Sequence, residues 1–507
     1  MSQSLFIWPK IRSLLEHYES ATRQLSAATA EETASSDGDR SLSDVDARAM
    51  EELLKSQALA LIRLYHVTTT GENELPSACA HIRRRLKDIE QGSHSRLYAY
   101  QFDQVPLYWR QIYSDAQILT TFHILLRAVD NMAPLEQRQA FIGALDEVVA
   151  RLDRCLVTVG GGGGILDRAW INKTLKMLEE AWELSPGSDP GREFSTLEPN
   201  PRMQLTRTIA RHWGWSIDKF EKYMRDGHAL ATTTGQLGPE PVIFTDLTKD
   251  VWPAIKEKRW SQPDYLFRMT LGGRRMVPVE IGRSYVDQGW GQQLMPFREF
   301  IFRYIDGSLI PDNVAEAEID TAPTGYLAQH DLFTQIPELR NDIQIPELCW
   351  ADVPNSNPFS LAAPKSKLEM PQVNAWFGPP TTITPLHTDG YTNLLCQVVG
   401  TKYVRLYPPQ AGRAMRPRSR DENGIDMSNT SAIDIGALEG WDKCIDDTME
   451  RDDDAAEKYK IELRDSLKDI EYFECILEPG DTLLIPMGWW HYVRSLSVSF
   501  SVSFWWN

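Results

Sequence analysis

The sequence predicts an α+β fold, in which an N-terminal helical region precedes a half that is rich in β-strands. In the first half, apolar residues recur at the spacing of a helix face, for example at Met50, Leu54 and Leu61. From about residue 235 the pattern changes to short β-rich runs that are separated by Gly and Pro. The last run, 497–504, alternates serine with an apolar residue, and many short strands at this spacing indicate a sandwich or barrel.

The helical region is expected to cover 1–230 and to contain several amphipathic helices. Leu14, Tyr18 and Leu25 indicate the first of these helices. The stretch near 26–44 is rich in Ser, Ala, Glu and Asp and is too polar to pack, so we expect a disordered loop there. Further helical patterns cover roughly 108–131, 135–157 and 167–184.

Five consecutive glycines, 160–164, separate two of these helical patterns. A phosphate-binding loop would end in Gly-Lys followed by Ser or Thr. Here Ile165, Leu166 and Asp167 follow instead, so no lysine would reach a phosphate. We interpret the run as a flexible connector.

The second half, 235–507, is expected to form the β domain. Its β-rich runs lie at 241–244, 277–281, 373–377, 394–399, 403–407, 482–485 and 497–504. One long polar excursion, 411–472, interrupts them and carries three consecutive aspartates at 452–454. We interpret this excursion as a surface insertion.

Charge and cysteine content limit the classes of function. The chain has 53 Lys and Arg against 71 Asp and Glu, a net charge of −18, which argues against a broad nucleic-acid footprint. The acidic balance is compatible with a basic protein partner, such as a histone tail or a ribosomal protein, and equally with plain solubility. The six cysteines are scattered and none forms a C-x-x-C pair, which indicates a reducing compartment.

The sequence offers no targeting or membrane segment. Lys10 and Arg12 interrupt any apolar core of a signal peptide within 1–14. No run approaches the roughly 18 apolar residues that a membrane span needs. We therefore expect a soluble, intracellular protein with no direct contact to nucleic acid or membrane.

Two motifs in the β-rich half offer metal ligands. His387 and Asp389 are two residues apart, and in an extended backbone such side chains point to the same side and can reach one ion. His491 follows in the segment 486–491, which reads Pro-Met-Gly-Trp-Trp-His. Two imidazoles and one carboxylate on one face of a metal leave open positions for a cosubstrate and O₂, as in non-haem Fe(II) oxygenases.

A structural role for these residues is the competing interpretation. An isolated His-x-Asp pair occurs often by chance, and packing against its neighbouring tryptophans would equally explain His491. Two nearby features favour the metal site. Lys402 opens a predicted strand and offers a cation for the far carboxylate of a dicarboxylate cosubstrate. A Gly-Asp pair at 480–481 forms a tight turn before the strand that delivers His491.

Four stretches of the second half resemble the JmjC oxygenases. The longest is 374–407, which contains the His-x-Asp pair, and the others are 277–285, 325–346 and 477–506. The resemblance spans about 235–507 and is most specific to the branch that contains a lysine demethylase and arginyl hydroxylase. It implies a double-stranded β-helix, a cupin-like JmjC barrel, for this half of the chain.

The resemblance also implies roles for residues around the metal ligands. Lys402 would bind the distal carboxylate of 2-oxoglutarate, assisted by the hydroxyls of Tyr326 and Thr384. Asn393 would hydrogen-bond near the end of the cosubstrate that chelates iron.

Two tryptophans, Trp376 and Trp505, would form walls of the same pocket. Buried indoles in a barrel are also ordinary core residues, so a purely structural role is the alternative for both.

The function implied by the resemblance is that of an Fe(II)- and 2-oxoglutarate-dependent dioxygenase acting on a protein. It would hydroxylate an arginine or lysine side chain, or an N-methyl-lysine with demethylation as the result, for example in a histone. Glu280 and Asp287 are candidates to hold the basic side chain, with solvated loop charge as the alternative. The resemblance favours a nuclear over a cytoplasmic location.

Two other classes of function stay open. A small-molecule oxygenase would use the same metal ligands and cosubstrate. A non-catalytic JmjC binding or scaffold protein would keep the barrel, but such proteins usually lose a ligand or the cosubstrate lysine. Here the complete set is present, namely His387, Asp389, His491 and Lys402.

Overall fold

The structure, a computed structural model, describes residues 4–27, 45–70, 76–101, 104–129, 134–182, 191–287, 289–310, 324–360, 365–421, 424–442 and 461–507. Most of the loop predicted near 26–44 lies outside the described residues, as do the aspartates at 452–454. The chain forms two compact units, Met1–Gly187 with Arg274–Met276 and Ser188–Gly273 with Val277–Asn507. The domain limits expected from the sequence, 1–230 and 235–507, stay a prediction.

The first unit is helical. Its helices are α1 (Ser4–Ala27), α2 (Val45–Thr70), α3 (Pro76–Leu97), α4 (Leu107–Val129), α5 (Pro134–Val159) and α6 (Arg168–Ala181). Helix α4 is buried on nearly every side, for example at Leu119, Phe122 and Leu126, because α1, α2, α3 and α5 all pack against it. At the start of α6, the carboxylate of Asp167 accepts a hydrogen bond from the N–H of Trp170 at 2.8 Å and caps the helix.

The five glycines at 160–164 join α5 to α6. Gly161 has a φ of 71°, and a side chain at Gly163 would overlap the carbonyl oxygen of Leu166. The backbone path therefore requires glycine here. The sequence indicated only a flexible connector, since a glycine run does not reveal which neighbouring groups approach it.

The longest helix of the second unit is α7 (Ile217–Thr234) in the described residues. Ser216 accepts a hydrogen bond from the N–H of Lys219 at its start, and Gly235 ends it with a φ of 70°. The remaining α-helices are one or two turns long, and they are α8 (Pro253–Lys256), α9 (Pro263–Met269), α10 (Phe297–Phe300), α11 (Leu332–Gln335), α12 (Pro337–Arg340) and α13 (Ile435–Leu438).

The described residues after α6 contain thirteen strands. They are β1 (Arg211–His212), β2 (Val242–Phe244), β3 (Met276–Ile281), β4 (Gly291–Pro296), β5 (Gly325–His330), β6 (Gln372–Gly378), β7 (Ile383–Thr388), β8 (Thr392–Val399), β9 (Lys402–Tyr407), β10 (Phe473–Leu477), β11 (Thr482–Ile485), β12 (Trp490–Ser495) and β13 (Ser499–Trp506).

The strands form two sheets. The larger has the order β1-β2-β11-β8-β13-β6-β5-β3-β4, and the smaller has the order β10-β9-β12-β7. One apolar cluster draws on both sheets, with Leu395 and Leu483 from the larger and Val404 and Leu406 from the smaller, so the two sheets share a core. The predicted fold class, a helical region followed by a cupin-like double-stranded β-helix, is confirmed.

Strand β13 is buried on both of its faces. The alternation of serine with apolar residues correctly indicated a strand with an apolar face. The serine face is buried too, because its hydroxyls have partners: Ser501 donates to Gln397 at 2.7 Å, and Ser503 accepts from the indole N–H of Trp376 at 2.9 Å.

The described parts of the predicted surface insertion, 411–472, pack against the smaller sheet. Ile433 and Leu463 of the insertion belong to the same buried apolar cluster as Leu386 of β7 and Tyr492 of β12. The insertion therefore contributes to the core as well as to the surface. Its polar average composition hides these apolar positions, which only their tertiary contacts reveal.

Among the helices of the described ranges, none combines the length and the hydropathy that a membrane crossing needs. Cys155, Cys349, Cys396 and Cys475 are buried and form no disulfide. Free thiols at these four positions agree with the scattered spacing of the cysteines in the sequence.

Candidate active site

The two histidines of the candidate metal site lie on adjacent strands of the smaller sheet. In the antiparallel pairing of β7 with β12, His387 is the direct partner of His491. Their ring centroids are 4.1 Å apart. Directly opposed residues of neighbouring strands carry their side chains on the same face, so the sheet unites two residues that are distant in sequence.

Asp389 completes the group just beyond the end of β7. Its Oδ1 lies 3.7 Å from Nε2 of His387, and its Oδ2 lies 3.6 Å from Nε2 of His491. The ligand atoms of the three residues all lie within 4.8 Å of one another. The N–H of Gly488, a residue with a φ of 83°, donates to the carbonyl oxygen of Asp389 at 3.2 Å and ties together the two segments that carry the ligands.

Backbone carbonyls orient both imidazole rings. Nδ1 of His387 lies 2.8 Å from the carbonyl oxygen of Pro385, and Nδ1 of His491 lies 3.1 Å from that of Trp489. A carbonyl oxygen only accepts hydrogen bonds, so Nδ1 carries the proton in each ring. Each Nε2 therefore keeps its lone pair for a metal ion.

The electrostatics of the site suit a divalent cation. Burial raises the pKa of Asp389, and burial together with the neighbouring His387 lowers the pKa of His491. Oδ2 of Asp389 is buried without a hydrogen-bond partner. A cation among the three side chains would stabilise the carboxylate and favour neutral imidazoles. Two histidines and one carboxylate are the donor set of non-haem Fe(II) sites.

One pocket, with about 350 Å³ of space that is partly open to solvent, contains this triad. Its lining includes every residue that the sequence predicted as a metal ligand or a cosubstrate contact: His387, Asp389, His491, Tyr326, Thr384, Asn393, Lys402, Trp376 and Trp505. The structure thus brings all of them together, while their individual roles stay predictions.

Lys402 is buried in this pocket, with 1% of its surface exposed. Its Nζ donates a hydrogen bond to the hydroxyl of Tyr326 at 3.3 Å, and among the described residues it has no carboxylate partner. Burial lowers the pKa of Lys402 to about 7. A buried ammonium without a counter-charge is unfavourable, so the position favours an anionic ligand such as the far carboxylate of a metal-chelating diacid.

Other polar groups of the pocket are also suited to a ligand. Oδ1 of Asn393 and Nε1 of Trp505 are buried without hydrogen-bond partners. Burial raises the pKa of Tyr326, whose hydroxyl interacts with that of Thr384, so the phenol stays protonated and can donate. A polar ligand in the pocket would satisfy these groups.

The two tryptophans of the pocket differ in their hydrogen bonding. Nε1 of Trp376 donates to the hydroxyl of Ser503, so this indole offers the pocket mainly an apolar surface. Nε1 of Trp505 has no partner, and its ring stacks on Tyr391 with centroids 6.1 Å apart. Trp505 is therefore suited to hydrogen-bond a ligand, whereas Trp376 is suited to form a wall.

The pocket also contains residues that the sequence did not single out, namely Leu395, Ile485, Val493 and Ser503. Strand alternation identifies three of them, because Val493 follows His491, Leu395 follows Asn393 and Ser503 precedes Trp505, each by two residues. The fourth, Ile485, comes from β11, and only the fold of the barrel places it here.

The two acidic candidates for binding a basic substrate differ in the structure. Asp287 accepts hydrogen bonds from Arg283 at 3.0 and 3.2 Å, so its charge is already paired. Glu280, near the end of β3, has its pKa raised to about 7 by burial, while a hydrogen bond with Trp290 acts in the opposite direction. In the antiparallel pairing of β3 with β5, Glu280 lies directly opposite Tyr326, a residue of the pocket lining.

The fold and the site together define a class of protein. A double-stranded β-helix that holds a His-Asp-His triad and a buried lysine in one pocket is a non-haem oxygenase domain. A model of the cupin-like domain family matches residues 235–507, and the chain belongs to this family and to its JmjC group. JmjC oxygenases use Fe(II) and 2-oxoglutarate, and the residues described above fit both.

Three curated relatives show the same membership. The chain is 38% identical to the lysine-specific demethylase 8 of Danio rerio over 268 residues, which are 53% of each protein. It is 38% identical to the lysine-specific demethylase JMJ30 of Arabidopsis thaliana over 308 residues, 61% of this chain and 57% of the relative. It is 30% identical to the Jumonji C domain-containing protein 5 of Drosophila melanogaster over 414 residues, 81% of this chain and 84% of the relative. The matches span about half the length of the first two relatives and most of the third.

Proposed function

We propose that the protein is an Fe(II)- and 2-oxoglutarate-dependent dioxygenase that oxidises a side chain of another protein. The observation that carries the proposal is the position of Lys402 in the same pocket as His387, Asp389 and His491. The triad would hold Fe(II), and the lysine would bind the carboxylate that does not chelate the metal. The names of two relatives, both lysine-specific demethylases, support a protein substrate.

The chain's own residues position the reactants. With Fe(II) bound, oxidative decarboxylation of 2-oxoglutarate by O₂ supplies the oxidising power that hydroxylates a C–H bond. Lys402 would pair with the distal carboxylate, whose negative charge would restore the ammonium form that burial disfavours. The hydroxyls of Tyr326 and Thr384 would donate hydrogen bonds to the same carboxylate.

Other residues of the pocket orient the cosubstrate and strengthen its electrostatic contacts. Asn393 would hydrogen-bond the chelating end of 2-oxoglutarate, and Nε1 of Trp505 would donate to an oxygen of a bound ligand. Leu395, Ile485 and Val493 provide apolar walls. Because apolar side chains lower the local dielectric constant, electrostatic contacts beside them are stronger than they would be in bulk water.

The substrate side chain is proposed to be basic, an arginine, a lysine or an N-methyl-lysine. Glu280 is the carboxylate that would pair with it, with Trp290 and Tyr285 beside it. A cation would stabilise the ionised form of Glu280, which burial disfavours. A histone or a ribosomal protein would supply such a side chain, and a histone substrate would place the protein in the nucleus.

Hydroxylation and demethylation share their first step at this site. Oxidation of a carbon within the side chain gives a stable alcohol, whereas oxidation of an N-methyl group gives a hemiaminal that loses formaldehyde. The triad and Lys402 serve both outcomes equally. The product therefore depends on which carbon the substrate presents to the metal when its basic group is held at Glu280.

Succinate formation tests the oxygenase proposal. Anaerobically purified protein is supplied with Fe(II), 2-oxoglutarate, ascorbate and air, because slow decarboxylation of the cosubstrate needs no knowledge of the substrate. We expect iron-dependent succinate from the wild type and none from His387→Ala. The matched control is His212→Ala in β1, outside the pocket, which should retain the activity. Equal succinate from the wild type and His387→Ala would contradict the proposal.

The substrate class is tested with peptide pools that contain arginine, lysine and N-methyl-lysine. A mass gain of one oxygen atom identifies hydroxylation, and loss of a methyl group with release of formaldehyde identifies demethylation. Iron-dependent succinate without any change in peptide mass would favour a small-molecule substrate instead.

A further inference from the structure

We propose that Arg283 is a positioning residue, which holds the described residues of one segment, 282–287 and 289–290, beside Glu280 by binding carboxylates of the insertion. We call this segment the substrate loop. Its role in binding a basic side chain rests on the proposed function. The contacts that hold the substrate loop in place are independent of the proposed function.

Arg283 donates hydrogen bonds to three carboxylates. It binds Asp287 of the substrate loop at 3.0 Å, Asp434 at 2.7 Å and Asp442 at 3.3 Å. The last two residues belong to the insertion, 411–472. A planar guanidinium with five donors can serve several carboxylates at once, which a lysine ammonium cannot reproduce in the same geometry.

The insertion end of this contact is fixed to the strand that carries His491. Asp442 also accepts a hydrogen bond from Arg494 of β12 at 2.7 Å. Gly436 leaves the space for this carboxylate, since an added Cβ would overlap Oδ2 of Asp442. Asp442 therefore connects Arg283 to β12.

A second connection runs from the substrate loop to β7, the strand that carries His387. Two backbone hydrogen bonds, of 2.9 and 2.8 Å, join β7 and its end to residues 429–431, so the insertion extends the smaller sheet beside the metal ligands. Between these bonds, the hydroxyl of Thr430 lies 3.2 Å from that of Tyr285. The insertion thus contacts the substrate loop on one side and both ligand-bearing strands on the other.

The substrate loop carries the groups that surround Glu280. Trp290 at its end hydrogen-bonds Glu280. The pKa of Tyr285 is raised chiefly by burial, and the charge of Glu280 adds to this effect. Only 20% of the Arg283 side chain and 14% of the Asp442 side chain are exposed. Removing Arg283 would leave Asp434 and Asp442 as neighbouring like charges, which would loosen the loop from the insertion. Arg283 therefore couples the geometry at Glu280 to that of the metal site.

Hydrogen exchange of the full chain tests these contacts without any substrate. The backbone N–H groups of Gly282, Asp287 and Trp290 donate hydrogen bonds in the structure, so they should exchange slowly. We expect Arg283→Gln to accelerate exchange in the peptide that covers 282–290 by about tenfold or more. Unchanged exchange in this peptide would overturn the proposal.

Two further variants of arginine residues make the result specific. Arg283→Lys keeps the charge but not the fork of donors, so it should give an intermediate rate. Arg211→Gln removes a two-bond contact with Asp481 elsewhere in the same unit and is the matched control, which should leave the substrate loop unchanged.

An independent variant covers the case in which Arg283→Gln does not fold. Gly436→Ala displaces the carboxylate of Asp442 while Arg283 remains, so it should also accelerate exchange in 282–290. Gly238→Ala is its control, because the added Cβ would meet no other atom closer than 3.5 Å. A folded Gly436→Ala protein with an unchanged substrate loop would contradict the proposal.

The role in substrate binding is tested with acetyl-arginine-amide as the probe, by calorimetry on the protein loaded with Mn(II) and 2-oxoglutarate. We expect Arg283→Gln to raise the Kd of the probe about tenfold, and Arg211→Gln to leave it unchanged. Failure of the wild type to bind the probe, or equal binding by Arg283→Gln, would overturn this role. Absence of succinate from the wild type would instead overturn the oxygenase proposal, and the exchange result would still stand.

Discussion

Nζ of Lys402 donates a hydrogen bond to the hydroxyl of Tyr326 at 3.3 Å, and both side chains are buried. Burial raises the pKa of the tyrosine, so the phenol does not supply a negative charge to the lysine. The pair provides donors without a counter-charge inside the pocket. Such a site is prepared for an anion that enters from solvent.

Lys402→Met should weaken the binding of 2-oxoglutarate by about 10- to 100-fold, because a hydrogen bond to a charged group contributes about 1.5–3 kcal/mol. The KM for 2-oxoglutarate in succinate formation and the Kd by calorimetry measure the effect. Lys258→Met is the matched control, since Lys258 is exposed and pairs with Glu193 at the surface. Equal affinity in Lys402→Met and in the wild type would exclude the proposed contact.

Without cosubstrate, Lys402→Met should be more stable than the wild type near neutral pH. Burial lowers the pKa of Lys402 to about 7, so the folded protein releases a proton that the unfolded chain retains up to about pH 10. Between these two pH values the unfolded state binds more protons, and the stability of the wild type must therefore rise with pH.

Urea unfolding at pH 7, 8 and 9 measures this difference. The advantage of Lys402→Met should be on the order of a few kcal/mol at pH 7 and should shrink by about 1.4 kcal/mol per pH unit as the pH rises. An advantage that does not change with pH would show that the ammonium is not the cause.

Mn(II), a metal probe that avoids oxidation, should raise the Tm of the wild type, and a chelator should reverse the rise. At a concentration 100 times its Kd, a ligand that binds only the folded state contributes about 2.7 kcal/mol to stability. Asp389→Ala should lose the shift. Its metal-free form should be at least as stable as the wild type, because Oδ2 of Asp389 is buried without a hydrogen-bond partner.

The control for this experiment is Asp226→Ala, which removes an exposed carboxylate from α7. Its Tm should rise with Mn(II) as in the wild type. A metal-induced shift that persists in Asp389→Ala would place the metal elsewhere.

Glu280→Gln should raise the Kd for acetyl-arginine-amide about tenfold, because the neutral amide cannot pair with a guanidinium. In the wild type, burial raises the pKa of Glu280 to about 7, so the ionised form grows as the pH rises through 7. Binding of the basic probe should therefore strengthen by about tenfold from pH 6 to pH 8, and the variant should lose this dependence. Calorimetry at both pH values checks the prediction, with the exposed Glu257→Gln as the control.

The proximity of His387, on β7, and Asp389, just after its end, was predictable because it depends on local geometry. His387 and Asp389 share one side of an extended chain, and the structure shows them in a group that can hold a metal ion. The pairing of His387 with His491 across two strands cannot be predicted from local geometry. It depends on the register between β7 and β12, including an irregularity between His491 and Val493, and that register is set by the barrel as a whole.

Contacts between distant segments explain the remaining differences. Asp287 looked like a free acidic residue in the sequence, but Arg283 pairs with it and with two carboxylates of the insertion. The same insertion looked like a surface feature because its average composition is polar, whereas Ile433 and Leu463 are buried. Neither the pairing of Asp287 nor the burial of Ile433 and Leu463 follows from the local sequence. Each depends on which other segments the fold brings into contact with these residues.

Strand β13 ends at Trp506 and lies between β8 and β6 in the larger sheet. During synthesis on the ribosome, β6 and β8 are made long before the strand that must separate them. Until then the nascent chain exposes two strand edges with unpaired N–H and C=O groups, which other chains can bind. Closure of the barrel must therefore wait until β13 has left the ribosome, so the sheet is completed only after all of its other strands have been made.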